Sequence, residues 1–318
     1  MSKSLEHVLS SHPYALFECG KGMPKIEDPD HIWIHSCCTL TNYLRATARF
    51  ARWLIAQGHK SRMSETEAIQ HIQPYLDSLV ARGLAPSTVH TEAAAVCKAL
   101  GVHMRDYHYP KRITPPTKGR DPERIAAMEA DPKFAEIIPF IGAVGIRRAE
   151  YLDLLGRDLV YRDSHCYIHV AQGKGGKKQY QLIDDGDVPI VEARFGGLGP
   201  DDPVFAPREL RGLNLHHYRR VHGREMYASY VARMEENPNY RQELIEEIKR
   251  AFTRGGRAWR RNHDMQILDT PYRVQRNVRQ DMLAKGLPTE YDRVALMAVS
   301  VFHLSHWRCD VTVQYYMR

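Results

Sequence analysis

The chain has 318 residues, 43% of them hydrophobic and 26% charged, with a formal net charge of +7. That length suits about two domains with a sizeable buried core, and the composition is that of a soluble globular protein. No apolar run approaches the roughly eighteen residues of a membrane span, the first residues lack the apolar stretch of a secretory leader, and a basic surplus with clustered arginines points to a polyanionic partner.

Residues 1–35 are poorly periodic and disclose little. From 36 to 58, Leu40, Tyr43, Leu44, Ala48, Ala51, Leu54 and Ile55 recur at helical spacing. Past Gly58, Ser64-Glu65-Thr66-Glu67 opens a second helix that runs through Ile72, Tyr75, Leu76, Leu79 and Val80 to Gly83. Pro86-Ser87-Thr88 starts a third, ending near Gly101. The stretch from Tyr109 to Arg120 is rich in proline and basic residues. It reads as an extended linker, with Lys111, Arg112 and Lys118 available to track a phosphate backbone. The expected organisation is a helical domain over 1–108, a linker over 109–124 and a second domain over 125–318.

In the second domain an apolar helix from Ile137 runs into Gly145, and a new helix opens with Arg147 near its start and Glu150 three residues on. Residues at i and i+3 share a helix face, so Glu150 is placed to brace the Arg147 guanidinium. Cys166-Tyr167-Ile168-His169-Val170 alternates as a strand, Gly173-Lys174-Gly175-Gly176-Lys177-Lys178 turns it, and Tyr180-Gln181-Leu182-Ile183 returns. Lys174 thus sits on a hairpin, where a long flexible cation can swing onto a ligand. Asn214 opens a further helix in which His216 and Arg219 point the same way.

Residues 235–290 read as an insertion. Within it Lys249, Arg250, Arg254, Arg257, Arg260 and Arg261 surround Gly255-Gly256, with Trp259 among them. Two readings are open there: an arm that contacts nucleic acid through Arg254, Arg257 and Arg260, or a solvated helix end around one packed tryptophan. The six cysteines, at 19, 37, 38, 97, 166 and 309, show no Cys-x-x-Cys pair. Reduced thiols in a cytoplasm are therefore expected rather than a zinc site.

The most informative stretch is Leu304-Ser305-His306-Trp307-Arg308-Cys309-Asp310-Val311-Thr312-Val313-Gln314-Tyr315-Tyr316. It sets a histidine nine residues ahead of Tyr315 in a basic protein, a combination suited to phosphodiester chemistry through a phenol. Phenol, with a pKa of about 10, is a weak nucleophile at neutral pH and needs cations around the phosphate it attacks.

Taken in order, these boxes resemble the tyrosine recombinase (phage-type integrase) superfamily, over roughly residues 35 to 318. Val144-Gly145-Ile146-Arg147-Arg148-Ala149-Glu150 is similar to its Thr-Gly-Leu-Arg-x-x-Glu box, and Asp158 follows Glu150 at the family's interval. Lys174 matches the hairpin lysine, His216 and Arg219 the His-x-x-Arg box, and Leu304-Ser305-His306 the Leu-Gly-His box. Tyr315 lies at the nucleophile's usual distance from His306, with Tyr316 the neighbouring alternative. Several features depart from the pattern, among them Ser305 in place of the customary glycine. The Arg147–Arg219 interval is short, about 85 residues separate Arg219 from His306, and a rival second-arginine box, Arg276-Asn277-Val278-Arg279, lies inside the insertion.

The resemblance implies a mainly α fold with a small β-sheet, in which a helical core-binding (SAM-like) domain precedes a catalytic domain and the two clamp duplex DNA. It implies a site-specific recombinase of a mobile element, an integrase or resolvase that cleaves and rejoins DNA. Arg147 and Arg219 would grip the scissile phosphate, while His216 and His306 hydrogen-bond the phosphate or the phenol. Lys174 would protonate the departing 5′ oxygen, and Tyr315 would form a 3′-phosphotyrosyl bond. The bond energy stays in that intermediate, so no cofactor and no metal is expected. The implied partners are double-stranded DNA, three further copies of the chain in a tetramer on paired sites, and an accessory DNA-binding protein, with no membrane. A non-catalytic DNA-binding protein of the same fold and a type IB topoisomerase are the alternatives.

Overall fold

The computed structural model describes residues 4–23, 27–111, 121–173 and 177–318. The architecture is mainly helical, with a three-stranded and a two-stranded antiparallel sheet among the described residues, in agreement with the expected fold class. The chain divides into two compact units, Met1–Ile113 and Thr114–Arg318. Among the described residues no helix is long and apolar enough to cross a membrane, and the six cysteines are free thiols.

In the first unit the N-terminal residues, unread in the sequence, form the helix Leu5–Gly20 with Ser4 as its cap. Its buried positions, Leu5, Leu9, Pro13 and Leu16, make a stripe one residue wide. Such a stripe, interrupted by a proline, is a weak periodic signal. Helix Cys37–Ala56 follows. The expected second helix is two pieces, Glu65–Gln70 and Ile72–Ala81, that meet at His71. The first opens on a reciprocal Ser64–Glu67 capping box, and the helix Pro86–Ala99 completes the unit. Phe50, Leu54, Ile72, Tyr75, Leu76, Val89 and Val96 fill the core. Glu92 is buried within it and accepts from the Tyr75 hydroxyl at 2.8 Å and Arg49 Nε at 3.0 Å. That pairing satisfies a carboxylate that would otherwise be costly to bury.

In the second unit, Asp121 caps the helix Pro122–Glu129, so regular structure begins inside the expected 109–124 linker. At the other end of that linker, Tyr109 packs edge-on against His90 of the first unit. The strands β1 (Leu159–Arg162), β2 (His165–Gly173) and β3 (Lys177–Leu182) form a meander in the order β1-β2-β3. The residues between β2 and β3, Lys174 included, lie outside the described residues.

The segment read as an insertion is built into the unit. Leu244, Ile245, Ile248 and Phe252 of helix Tyr240–Arg254 share one core with Met265, Leu268, Val274 and Met282, and with Val313, Tyr316 and Met317 of the tail. Burial of several large side chains, each contributing about 1.5–3 kcal/mol, therefore holds the tyrosine segment in place.

The joint between helix Ile137–Val144 and Arg147 rests on Gly145. This residue adopts φ +61°, and a Cβ there would lie 2.4 Å from the His222 ring. Gly145→Ala should destabilise the second unit by about 2 kcal/mol or more, since both the left-handed backbone and the overlap oppose it. Chemical denaturation measures this, and an unchanged midpoint would contradict it.

Candidate active site

Each polar side chain of the candidate site is set by the element that carries it. Arg147 is the residue before helix Arg148–Leu152, in extended backbone. Its backbone N–H and one guanidinium nitrogen both donate to the Glu150 carboxylate, each at 2.7 Å. Glu150 is buried while about a quarter of the Arg147 side chain is exposed, so the acid fixes a cation that remains reachable. The second nitrogen, Nη2, points to the Leu304 carbonyl oxygen at 3.4 Å.

Arg219 approaches the same oxygen from helix Leu215–Glu236, whose N-cap is Asn214. Its side chain is fully buried. Nη2 donates to Leu304 O at 2.5 Å, Nη1 to Gly145 O at 2.5 Å and Nε to the Tyr316 hydroxyl at 3.2 Å. The Leu304 carbonyl therefore marks the point where two guanidiniums converge. Tyr316 closes the group. Its hydroxyl is 3.5 Å from His306 Nε2, and the His216 ring meets its ring edge-on at 5.6 Å.

The phenol in this cluster is Tyr316, one residue beyond the expected Tyr315. The tail runs from helix Cys309–Thr312 into a π-helical turn, Val313–Met317. A π turn bonds i to i+5 and takes one more residue than an α turn, so the side chain carried round to Arg219 comes one place later. Tyr315 is half-buried and packs against the edge of the surrounding core.

The structure brings Arg147, His216, Arg219 and His306 together with Tyr316, and leaves other expected residues elsewhere. Arg276 and Arg279, the rival box, are exposed on helix Arg276–Ala284, whereas Arg219 is the arginine at the tyrosine. Arg254 pairs with Asp163 at 3.4 Å, Arg260 lies over the Trp259 ring at 5.1 Å, and Arg257 covers the Trp307 ring at 4.7 Å. Lys111 is exposed, and Arg112 and Lys118, like Lys174, lie outside the described residues. Asp158 is buried, accepting from Leu155 N at 2.9 Å and lying 3.2 Å from His169 Nδ1.

Three supporting features escaped the sequence reading. Ser300, fully buried, anchors the loop that presents His306. Its carbonyl accepts from the N–H groups of His306 (2.9 Å) and Trp307 (3.3 Å), and its hydroxyl bonds both N and O of Arg308. The loop needs such an anchor, because Ser305 and Trp307 on either side of His306 both adopt positive φ (51° and 60°), a conformation costly for residues with a side chain. No sequence signal marks Ser300. Arg224, which donates to the Tyr316 carbonyl at 3.1 Å, was findable at helical spacing from His216 and Arg220.

The third feature is a buried relay behind the cluster. Tyr230 donates its hydroxyl to His303 Nε2 (3.0 Å), His303 Nδ1 faces His222 Nε2 (3.1 Å), and His222 Nδ1 donates to Gly142 O (2.8 Å). This arrangement requires both imidazoles to be neutral, with Nδ1 protonated in each. Burial lowers the His222 pKa to about 4, and burial with His222 alongside pushes His303 well below its ordinary range.

Both histidines thus titrate lower folded than unfolded, and the unfolded chain takes up protons first. The stability they contribute is fully present above about pH 6.5 and drains away as pH falls toward the folded values, His222 reaching its own near 4. Urea midpoints across that window should fall steadily in the wild type and fall less in His303→Asn. A flat wild-type profile would contradict the neutral relay.

Neither a protein-family model nor a curated protein matches this chain. Among solved structures, it is similar to the XerH site-specific recombinase bound to its difH substrate in a pre-cleavage complex, with a TM-score of 0.38 and 15% identity over 71% of this chain and 85% of that one. It is also similar to the XerA recombinase, with a TM-score of 0.23 and 15% identity over 68% and 83% of the two chains. A third is the Tn1549 transposon integrase (residues 82–397) in complex with circular intermediate DNA, with a TM-score of 0.32 and 10% identity over 65% and 69%.

Proposed function

We propose that the chain is a site-specific DNA recombinase that cleaves and rejoins strands through a tyrosine, with Tyr316 as the nucleophile. The observation that carries this reading is the meeting of the Tyr316 hydroxyl with Arg219 Nε at 3.2 Å and His306 Nε2 at 3.5 Å, where Arg147 and Arg219 converge on a single oxygen. A phenol between an imidazole and a guanidinium has a base to take its proton and a cation to stabilise the oxyanion that results. Two arginines directed at one acceptor suit the non-bridging oxygens of a phosphodiester, which a guanidinium fork contacts in pairs.

The reaction then balances without an outside energy source. The Tyr316 oxygen attacks phosphorus as its proton passes to His306. The bond from phosphorus to the 5′ oxygen breaks, and that oxygen leaves with a proton from Lys174. DNA remains joined to the enzyme as a 3′-phosphotyrosyl ester. In the second half-reaction a 5′-hydroxyl from the partner strand gives its proton to Lys174 and attacks this ester, restoring the diester, while the phenol leaves with the proton held by His306. Glu150 holds Arg147 in register throughout, and Ser300 holds the His306 loop. Duplex DNA is the substrate in this reading, the helical first unit supplies further backbone contacts, and a tetramer on paired sites is the working assembly.

One observation favours a second reading, a DNA-binding protein without the chemistry. Tyr316 is only 5% exposed, and three nitrogens of Arg219 are each bonded within the chain. Incubation with a DNA duplex nicked beside the cleavage position separates the two, because release of the short strand traps any covalent complex. The wild type and Tyr315→Phe should become attached to DNA, Tyr316→Phe should not, and Arg147→Gln should slow attachment by about 10²–10³-fold. Attachment in Tyr316→Phe but not in Tyr315→Phe would return the nucleophile to Tyr315. No attachment by any form, with DNA binding intact, would establish the second reading.

A further inference from the structure

A cleft of about 400 Å³ in the second unit takes its walls from the three-stranded sheet and from helix Tyr240–Arg254. Four aromatic rings line it: Tyr167 of β2, Tyr230 of helix Leu215–Glu236, Tyr240, and Phe302 of the π-helical turn Val299–His303. Tyr230 and Phe302 are buried and form its floor. The Tyr230 hydroxyl is committed to His303 at 3.0 Å, which leaves its ring to the cleft.

Glu247 lies two helical turns along from Tyr240, on the same face, and also lines the cleft. Its half-buried carboxylate forms no hydrogen bond or ion pair among the described residues. That carboxylate faces the phenols: burial raises the pKa of Tyr167, Tyr230 and Tyr240, and Glu247 raises each further. All three rings therefore stay uncharged at neutral pH, with electron-rich faces.

The guanidiniums of the lining do not cancel Glu247. Arg233 pairs with Asp184, and Arg254 with Asp163 at 3.4 Å. Arg250 and Asp185 are both exposed, at the rim. Apart from the exposed His165, the described lining holds four carboxylates against three guanidiniums, and the carboxylate left over is the one among the rings.

We propose that this cleft binds an alkylammonium cation, its charge set against Glu247 and its methyl or methylene groups against Tyr167, Tyr230, Tyr240 and Phe302. Aromatic faces attract such a cation and pack against its carbon, and the carboxylate gains the partner it lacks. A bare metal ion would call for several oxygen ligands, and no group of three metal-ligating side chains exists among the described residues. The cleft has the size of a small-ligand site. The cation comes either from a free polyamine or from a lysine side chain of another protein. The site requires neither DNA nor Tyr316 as a nucleophile.

Calorimetric titration of the full chain with choline chloride, against sodium chloride at matched ionic strength, tests this. The expected result is one saturable site, weakened about tenfold or more in Glu247→Gln. That variant keeps the side-chain shape and breaks no bond within the described residues, so the fold is retained. Arg250→Gln removes a like charge from the rim and should bind choline at least as tightly as the wild type. Competition then identifies the source. Displacement of choline at a lower concentration of spermidine than of a trimethyllysine peptide assigns a free polyamine, and the reverse order assigns a protein side chain. No saturable choline binding, binding that Glu247→Gln leaves unchanged, or binding lost in Arg250→Gln overturns the proposal.

Discussion

A buried guanidinium is the constraint around which the second unit is organised. Arg219 cannot shed its charge, so each nitrogen needs a partner once water is excluded. Those partners come from three places: Gly145 at the end of one helix, Leu304 in the loop before His306, and Tyr316 in the tail. Removing any one would leave a buried donor unsatisfied, a cost of order 1–3 kcal/mol or more for a charged group. The arginine therefore acts as a clamp, joining segments up to 97 residues apart before any substrate is present.

The same economy of contacts explains the conformation around His306. A loop with two left-handed residues, Ser305 and Trp307, persists only where its surroundings fix it. Here Ser300 fixes it by four hydrogen bonds to three successive residues, and Phe252 and Arg257 enclose the Trp307 ring. A glycine would accept the position of Ser305 with less strain. The segment that looked like an insertion thus helps to set the histidine: Phe252 and Arg257 both lie within it.

Polarity is distributed unevenly along helix Leu215–Glu236. One stripe, His216 and Arg219, faces the tyrosine. The next, His217, Arg220 and Arg224, lines a separate open cleft. His222 and Tyr230 turn toward His303 in a neutral, desolvated relay. One helix thus holds a charged site and an uncharged one a turn apart. Burial keeps the relay neutral.

The residue types alone disclosed the order of the polar boxes, the helical first unit, the hairpin and the glycine before Arg147. Each of these is a local property: helical or strand periodicity, a cap, or a turn that only glycine makes easily. Tertiary structure carried the Tyr316 hydroxyl to Arg219, because a π-helical turn shifts the facing residue by one and leaves no mark in composition. It also buried Arg219 and left Arg276 and Arg279 exposed, since only packing determines which arginine is desolvated and must find partners. The N-terminal helix and Ser300 were hidden for the same reason. A one-residue stripe or a single serine acquires its role only from side chains far along the chain that fold against it.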